Sequence, residues 1–340
     1  MQYDKGKRYI MEVKMIRDVK NRTKLETAIP IATPFVCHIE VTNVCNFKCE
    51  FCASVDNPKV DAMKKGFMDY QMFCKIIDDI REFKGQMKQL IFHLLGEPLL
   101  HPQIANMIAY AKKAEVSEKL ILYTNGSKLT PELSRAICDA GIDYIQLSIE
   151  HVNDIGYEKV ARVKLDYDNF LANVGYLCAY KPKGCFVSAK ILDCGLTDEE
   201  KEKFYKDFTG VTDECHIETL MQTVPLDIKD TTMGHGRTTT NDGYEAVEKE
   251  VCTPPFYLLG ISWDGLVSPC VCDWQKGLII GDVSLNSVKE IWEGDKMREF
   301  RKMQLSKKRR LHPICGSCQA LFNQLDDIDE FADNILAKIR

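Results

Sequence analysis

No apolar run in this 340-residue sequence comes near the roughly 20 residues that a helix needs to cross a bilayer. A signal-peptide pattern is also missing, because the first residues, Met1 to Lys5, are mostly polar. The net charge of −5 is too small to attract nucleic acid or an anionic membrane surface. The basic run Lys307 to Arg310 is interpreted as a solvated turn. We therefore expect a cytoplasmic protein that binds neither nucleic acid nor membrane.

Internal repeats and low-complexity tracts are absent as well. The composition, with 45% hydrophobic and 28% charged residues, indicates a globular protein with one large and one smaller domain. Cysteine, by contrast, is abundant, with fifteen residues. A small secreted disulfide scaffold would be shorter and would have an even number of cysteines. In a reducing cytosol, clustered thiols indicate metal ligation instead.

Short β-rich runs alternate with amphipathic helices along the first two thirds of the chain. Strands are predicted at 35–41, 90–95, 120–123, 144–149, 185–192 and 215–221, with helices at 73–83, 101–112, from Thr130, at 167–180 and at 198–208. Such alternation indicates a parallel sheet, because parallel strands need right-handed crossovers. Six βα units alone do not decide between an open sheet and a partial barrel.

The alternation weakens after residue 222, which predicts a division of the chain. The predicted parts are an N-terminal extension at 1–32, a barrel or sheet domain at 33–222, a linker at 223–251, a cysteine-bearing domain at 252–320 and a closing helix at 321–340. The polar run Thr238 to Gly243 indicates the linker. Apolar residues spaced from Leu325 to Leu336 predict the closing helix.

A first cysteine cluster directly follows the first predicted strand. Cys45, Cys49 and Cys52 have the spacing C-x3-C-x2-C, in the kind of loop where α/β proteins place ligands. Three thiolates suit an iron–sulfur cluster and leave one iron of a four-iron cluster free for a small molecule. Structural zinc would need a fourth ligand, and His38 and Asp61 lack zinc-finger spacing.

Three further motifs follow this cluster in a fixed order. Gly96-Glu97-Pro98 closes the second strand, and Thr124 to Gly126 and Ser148 to Glu150 close the third and fourth. Together with the cysteine triplet, they make residues 33–222 similar to the radical S-adenosylmethionine superfamily. The resemblance implies a one-electron reduction of a [4Fe-4S] cluster and cleavage of S-adenosylmethionine to a 5′-deoxyadenosyl radical.

The resemblance also implies cofactor-binding residues. The methionine amino group is expected at Gly96, Glu97 and Pro98, where a carboxylate can pair with an ammonium. The remaining expected contacts are Phe51 near the adenine, Asn125, Ser148 and Glu150 near the ribose and carboxylate, and Lys190, whose side chain strand alternation could equally direct outward. Two positions depart from the family: Leu95 replaces a frequent glycine, and Glu150 stands where many members have aspartate.

A second set of cysteines lies in the C-terminal third: Cys252, Cys270, Cys272, Cys315 and Cys318. The run Trp263 to Gly265 predicts a hairpin turn that brings Cys252 and Cys270 together. Cys315 and Cys318 form a C-x2-C knuckle. Four cysteines from three segments can close a tetrahedral set, and on chemistry alone either zinc or an iron–sulfur cluster would fit.

This segment resembles the SPASM/twitch extension of radical S-adenosylmethionine enzymes, through the residues Asp273, Trp274, Ile280 to Val283, Ser287 to Trp292 and Arg298. The resemblance implies an α/β fold in which a partial (β/α)6 barrel precedes a small C-terminal iron–sulfur extension. It also implies one closed auxiliary [4Fe-4S] cluster, for a total of two, with the ligands Cys252, Cys270, Cys315 and Cys318. Cys272 is the alternative to Cys270. A closed cluster is suited to electron transfer.

The implied reaction starts with hydrogen abstraction from a small, carbohydrate or aminocyclitol-like substrate. Alcohol oxidation would use the auxiliary cluster as electron acceptor, and a donor such as flavodoxin or ferredoxin would reduce the first cluster. Alcohol oxidation also needs a proton acceptor. The run from Gly234 to Arg237 could reach the barrel mouth, which makes Arg237 a catalytic candidate, although a solvated linker is the simpler interpretation.

Three other functions stay open. A radical epimerase would use Cys185, Cys194 or Cys215 as hydrogen donor, although buried cysteine is commonly only a small hydrophobe. A peptide-modifying enzyme is less favoured, because only 44 residues precede Cys45 and such relatives often carry a leader-binding domain. A non-catalytic iron–sulfur electron carrier would not need Gly96, Glu97 and Pro98.

Overall fold

The computed structural model describes residues 22–222, 229–235, 239 and 245–339. Within these residues, nine strands form one sheet in the order β6-β5-β4-β3-β2-β1-β7-β8-β9. The strands are β1 (Val36–Ile39), β2 (Met87–Phe92), β3 (Ser117–Thr124), β4 (Tyr144–Ile149), β5 (Phe186–Asp193), β6 (Glu214–Thr219), β7 (Leu258–Ile261), β8 (Leu266–Ser268) and β9 (Gly281–Asp282).

Helices connect the strands and cover one face of the sheet. They are α1 (Leu25–Ala28), α2 (Pro58–Asp61), α3 (Tyr70–Ile80), α4 (Ile104–Ala114), α5 (Pro131–Asp139), α6 (Asp154–Val160), α7 (Tyr167–Tyr180), α8 (Asp198–Phe208), α9 (Val288–Glu293), α10 (Asp295–Leu305) and α11 (Ala332–Leu336). None of these described helices combines the length and apolar character of a membrane-spanning segment.

The six strands β1 to β6 are parallel, and each pairs with its neighbours in sequence. This arrangement confirms the predicted partial (β/α)6 barrel. β7 continues the sheet beyond β1 in parallel, and β8 and β9 follow antiparallel. The C-terminal segment is therefore attached to the barrel through the backbone of β1.

The two faces of the sheet differ in chemistry. The face that carries Leu90, Phe92 and Leu122 packs on the helices in the main hydrophobic core. The opposite face, which we call the inner face, has a small apolar cluster around Ile91 and Ile121. Polar side chains occupy the inner face closer to the carboxyl ends of the strands, where ligands are expected in parallel α/β folds.

Several helices begin where local capping chemistry places them. Thr130 accepts a hydrogen bond from Leu133 N at 3.2 Å, and Pro131 is the first residue of α5, as predicted. α4 begins at Ile104 rather than His101, because the His101 ring instead contacts Met68 O at 2.9 Å and accepts from Gln103 N at 3.1 Å. Pro102 therefore precedes the helix.

The predicted closing helix over 322–339 is wrong as a single helix. The tail has two 3₁₀ turns, at Ala320–Asn323 and Asp329–Phe331, and then the short α11. Asp329 explains the interruption, because its carboxylate accepts from Glu250 N and Val251 N at 2.8 Å each. These hydrogen bonds hold the tail against the segment 250–253, and the tail does not form a continuous helix.

Candidate active site and auxiliary cysteine site

The loop of Cys45, Cys49 and Cys52 follows β1 and is held by backbone hydrogen bonds to the end of α6. Lys48 N and Glu50 N donate to Ala161 O and Val160 O at 2.9 Å each. The thiols of Cys45 and Cys52, together with the carboxylate of Glu150, lie close enough to Cys49 to influence its ionisation. Burial and these negative groups raise the pKa of Cys49 well above its usual value.

The Gly96-Glu97-Pro98 segment contacts the same loop. Glu97 N donates to Val44 O at 2.9 Å, and a Cβ at Gly96 would lie 2.2 Å from Thr42 O, so that only glycine fits here. The buried Glu97 carboxylate accepts hydrogen bonds from Leu99 N at 2.9 Å, Thr124 Oγ1 at 2.6 Å and Asn125 N at 2.7 Å. Burial raises its pKa to about 6, against the effect of these bonds.

Asn125 and Glu150 bring the ends of β3 and β4 to the loop. The Asn125 amide donates to Asn46 Oδ1 at 3.1 Å. Glu150 is buried beside Cys49, and burial raises its pKa to about 7 although Lys190 and the hydrogen bond with Cys49 oppose the shift. Phe51 is half-buried against the main core. The structure thus gathers these sequence-predicted residues around one loop.

Lys190 lies on the inner face, which resolves the alternative that alternation left open. It pairs in register with Ser148, and its Nζ lies 3.2 Å from Glu218 Oε2. Its positive charge also acts on Glu150 and on His93. Lys190 therefore connects the cysteine loop with the interior of the barrel.

A polar network beyond Lys190 was missed by the sequence interpretation. His216 lies between two carboxylates of its own strand, at 3.5 Å from Glu214 and 3.5 Å from Glu218. Burial, with Lys190 adding to the effect, lowers the pKa of His93 to about 4, so that this imidazole is neutral. The period-two pattern of the predicted strands 90–95 and 215–221 could have placed these side chains on one face.

Of the three candidate hydrogen donors, only Cys194 lies near the cysteine loop. It follows β5, and burial raises its pKa to about 12, with Glu150 and Asp193 adding to the effect. Cys185 lies at the opposite, amino end of β5, where its thiol contacts Cys138. Cys215 lies 3.5 Å from Thr209 Oγ1 at the end of α8, on the helix-covered face. Neither position suits a hydrogen donor to a substrate at the loop.

The remaining catalytic candidate, Arg237 of the predicted linker, lies outside the described residues. His235, from the same run, is exposed, and its Nε2 would lie 3.1 Å from a Cβ at Gly195 in the loop after β5.

The second cysteine set surrounds a cavity of about 330 Å³ that is lined by Cys252, Cys270, Cys272, Cys315 and Cys318. The predicted hairpin is confirmed: β7 and β8 are antiparallel, and Gly265 has φ +86° in the turn. Cys318 N donates to Cys315 O at 3.3 Å in the knuckle. Folding therefore brings the three separate segments together as expected.

Both Cys270 and Cys272 lie close to the other thiols of the set. The charge of Cys270 adds to burial in raising the pKa of Cys252, Cys315 and Cys318. A hydrogen bond with Cys270, burial and the charges of Cys270, Cys318 and Cys252 raise the pKa of Cys272. Cys272 lies next to it and donates its backbone N–H to Cys270 Sγ at 3.3 Å. Both thiols line the same cavity, so Cys272 stays the alternative to Cys270 as the fourth ligand.

Side-chain N–H groups contact the thiols or belong to residues that line this cavity, which fits an anionic iron–sulfur cluster. Gln304 and Gln324 donate to Cys315 Sγ and Cys252 Sγ. Trp274 Nε1 and Arg309 Nε are buried and have no hydrogen-bond partner among the described residues. In the described ranges, no three His, Cys, Asp or Glu side chains are grouped so that they could hold a single metal ion.

The comparisons with known families agree with this architecture. The Radical SAM superfamily model matches residues 39–208, half of the chain, and the SPASM model of an iron–sulfur cluster-binding domain matches residues 252–319. The chain therefore belongs to the radical SAM superfamily and carries a SPASM-type domain after its barrel. Membership implies S-adenosylmethionine and [4Fe-4S] clusters as cofactors.

Two curated relatives illustrate how far the similarity extends. A tungsten-containing aldehyde ferredoxin oxidoreductase cofactor-modifying protein from Pyrococcus furiosus is 33% identical over 113 residues, 33% of this chain and 30% of that protein. An S-adenosyl-L-methionine-dependent 2-deoxy-scyllo-inosamine dehydrogenase from Niallia circulans is 21% identical over 292 residues, 85% of this chain and 94% of that protein. This chain thus matches less than a third of the first relative and nearly all of the second.

Solved structures share the fold at low sequence identity. BtrN in complex with AdoMet and 2-DOIA has a TM-score of 0.51 at 19% identity, with 84% of this chain and 92% of that chain covered. Native anSMEcpe with bound AdoMet has a TM-score of 0.59 at 13% identity, with 90% and 96% covered. Both likenesses extend over the barrel and the C-terminal segment.

Proposed function

We propose that Cys45, Cys49 and Cys52 hold a [4Fe-4S] cluster with one iron free of protein sulfur, where S-adenosylmethionine binds. Thiols and the buried carboxylates Glu97 and Glu150 gather there, and the ammonium and sulfonium groups of S-adenosylmethionine would supply positive charge opposite the carboxylates. When bound and reduced, the cofactor supplies a 5′-deoxyadenosyl radical that removes a hydrogen atom from a C–H bond.

In this proposal, Glu97 is the residue that binds the methionine ammonium. Two of its hydrogen bonds fall on Oε1 and one on Oε2. A carboxylate offers about four lone-pair sites, so one on Oε2 is left for the ammonium. The other proposed cofactor contacts are Phe51, Gly96, Pro98, Asn125, Ser148, Glu150 and Lys190.

We propose Cys252, Cys270, Cys315 and Cys318 as ligands of one auxiliary [4Fe-4S] cluster, which makes two clusters in the chain. All four thiols line the 330 Å³ cavity, and Cys272, which lines it too, is the alternative to Cys270. Four protein thiols leave no iron free for substrate, so the group would supply an electron acceptor. A one-electron donor such as flavodoxin or ferredoxin, in the cytoplasm, would serve the first cluster.

The proposed reaction is oxidation of an alcohol on a carbohydrate or aminocyclitol-like substrate. The closed auxiliary site carries this proposal, and the relative acting on 2-deoxy-scyllo-inosamine, which matches both domains, supports it. Conversion of a carbinol to a ketone removes one hydrogen atom, one proton and one electron. The radical accounts for the hydrogen atom and the auxiliary site for the electron.

His216 is the proposed acceptor of the proton. Its imidazole faces the interior of the barrel, and the carboxylates of Glu214 and Glu218, each 3.5 Å away, would stabilise the imidazolium that forms. Glu218, whose Oε2 lies 3.2 Å from Lys190 Nζ, would bind a substrate hydroxyl group in the same network.

The experiment uses anaerobically reconstituted enzyme with S-adenosylmethionine, dithionite and a set of aminocyclitols that includes 2-deoxy-scyllo-inosamine. We expect 5′-deoxyadenosine together with an equimolar ketone from at least one of them. His216→Gln should lower ketone formation more than 5′-deoxyadenosine formation. Zinc in place of iron would contradict the proposal. Iron–sulfur clusters that yield no 5′-deoxyadenosine with strong reductant would contradict it too and would favour an electron carrier.

Epimerisation is the second candidate, because Cys194 lies near the loop and burial keeps its thiol protonated. A thiol there could return a hydrogen atom to a substrate radical. In D2O an epimerase would place solvent deuterium in the product, and Cys194→Ala would abolish that incorporation. A ketone product without deuterium would exclude this candidate.

A further inference from the structure

The auxiliary thiols receive hydrogen bonds from two glutamines that belong to different parts of the chain. Gln304, near the end of α10, is fully buried, and its Nε2 lies 3.8 Å from Cys315 Sγ. Gln324 follows the first 3₁₀ turn of the tail, and its Nε2 donates to Cys252 Sγ at 3.3 Å. Two of the four proposed ligands are therefore contacted by an amide N–H.

The orientation of both amides is set by their oxygen atoms. Gln304 Oε1 accepts from Cys252 N at 3.3 Å. Gln324 Oε1 accepts from Thr253 N at 3.0 Å and from Thr253 Oγ1 at 2.8 Å. Rotation of either amide would leave these donors without an acceptor and turn oxygen toward sulfur. The NH2 groups are thus held toward the thiols.

Two more residues with N–H donors, Trp274 and Arg309, line the same cavity as the cysteines. Trp274 Nε1 and Arg309 Nε are buried and find no partner in the described part of the chain. Arg309 also donates from Nη1 to Cys315 O, which places a buried positive charge next to the knuckle. Asp273 lines the cavity too, but its oxygens accept from Gly277 N and Leu278 N at 3.0 and 2.6 Å.

We propose that Gln304, Gln324, Trp274 and Arg309 raise the reduction potential of the auxiliary cluster, so that it accepts an electron from the substrate. Hydrogen bonds to cluster sulfur and nearby positive charge stabilise the reduced, more negative form. These four act as tuning residues around the ligands rather than as catalytic residues. The inference rests on the proposed function, because it assumes an iron–sulfur cluster at this site.

The test measures the midpoint potential of the auxiliary cluster by itself. The background is the full-length chain with Cys45, Cys49 and Cys52 replaced by alanine, so that one cluster gives the signal. Gln324→Met and Gln304→Met should each shift the potential to more negative values, by about 59 mV for a tenfold loss of electron affinity in a one-electron couple. Gln324→Glu keeps the shape and the acceptor oxygen and should shift the potential at least as far.

Gln275→Met is the matched control. Gln275 lines the same cavity, but its Oε1 accepts from Lys59 Nζ at 2.8 Å, and no described hydrogen bond joins it to a thiol. Its potential should equal that of the background. An equal shift in this control, or unchanged potentials in all the Gln304 and Gln324 variants at full iron content, would overturn the inference.

A second measurement covers the case in which a variant does not retain its cluster. Exchangeable protons coupled to the reduced cluster should be visible by ENDOR in the background chain and should disappear in D2O. Their absence overturns the inference while leaving the proposed function intact. A background chain that binds no iron would overturn the proposed auxiliary cluster as well.

Discussion

Glu97 connects three backbone segments within a buried part of the site. Its carboxylate accepts from the amides of Leu99 and Asn125 and from the Thr124 hydroxyl, and only 3% of the residue is exposed. A residue assigned to cofactor binding therefore also organises the ends of β2 and β3. Loss of its side chain would leave three donors without their acceptor.

Glu97→Ala is expected to lower the free energy of unfolding by about 3 kcal/mol, because buried donors lose a charged acceptor. Urea denaturation followed by circular dichroism measures the change. Glu132→Ala, at an exposed position of α5, is the control and should leave the urea midpoint where it was. An unaltered midpoint for Glu97→Ala would show that water replaces the carboxylate.

Cys270 and Cys272 offer a direct comparison between two neighbouring thiols. Cys270→Ala should remove about half of the iron from the reconstituted protein, because it takes away one ligand of one of two equal clusters. Cys272→Ala should retain the full iron content. Iron analysis and Mössbauer spectroscopy provide the measurement. The reverse result would make Cys272 the ligand.

Among the elements, those with a strong local signal were predictable from the sequence. β4 at Tyr144–Ile149, α7 at Tyr167–Tyr180 and α8 at Asp198–Phe208 have the predicted bounds. The tail was not predictable, because its helical spacing is interrupted by contacts of Asp329 with a segment about 80 residues earlier.

In the candidate site, too, the contiguous motifs were predictable from the sequence, whereas contacts between distant residues were not. The cysteine triplet and the Gly96-Glu97-Pro98 segment could be recognised because each is contiguous and ends a strand. The role proposed for His216 depends on Lys190 and Glu218, which strand register brings together. Cys185 begins the predicted strand 185–192, so the rule that ligands bind at the carboxyl ends of parallel strands already counted against it, and the structure has it at the amino end of β5.

The hairpin between β7 and β8 depends on its turn glycine. Gly265 has φ +86°, and a Cβ there would lie 3.1 Å from Val283 Cγ2. Gly265→Ala should therefore lower the free energy of unfolding by about 1–2 kcal/mol and weaken iron retention by Cys252 and Cys270. Urea midpoints and iron content after gel filtration measure both effects.

Gly175→Ala is the control for Gly265→Ala, because it makes the same substitution at a helical position. Gly175 lies within α7, and a Cβ there would meet nothing within 4 Å. Alanine should raise the free energy of unfolding by up to about 1 kcal/mol, because glycine is the poorer helix former. A loss of stability in both variants would mean that backbone conformation at residue 265 is not the cause.

At the scale of the whole molecule, the barrel and the C-terminal segment share one sheet and several side-chain contacts. Trp292 is buried, and its Nε1 donates to Ile31 O at 3.1 Å. Asp79 Oδ2 accepts from Val288 N at 3.2 Å. The barrel and the C-terminal segment, which carry the two cysteine sites, therefore stabilise each other through these contacts.

We expect these parts to unfold in one transition. All three tryptophans, Trp263, Trp274 and Trp292, lie in the C-terminal segment, so fluorescence reports that segment while far-ultraviolet circular dichroism reports mainly the barrel helices. The two signals should have the same urea midpoint. Fluorescence that changes at lower urea would indicate that the segment detaches first.

The pairing of β7 with β1 determines what removal of the C-terminal segment would expose. Val36–Ile39 bonds to β2 on one side and to Leu258–Ile261 on the other. A shortened chain that stops before β7 would bare one row of amide and carbonyl groups on β1, a template onto which another molecule can add a strand. The C-terminal segment thus acts as a cover against self-association, and a barrel produced without it should form soluble aggregates detectable by light scattering.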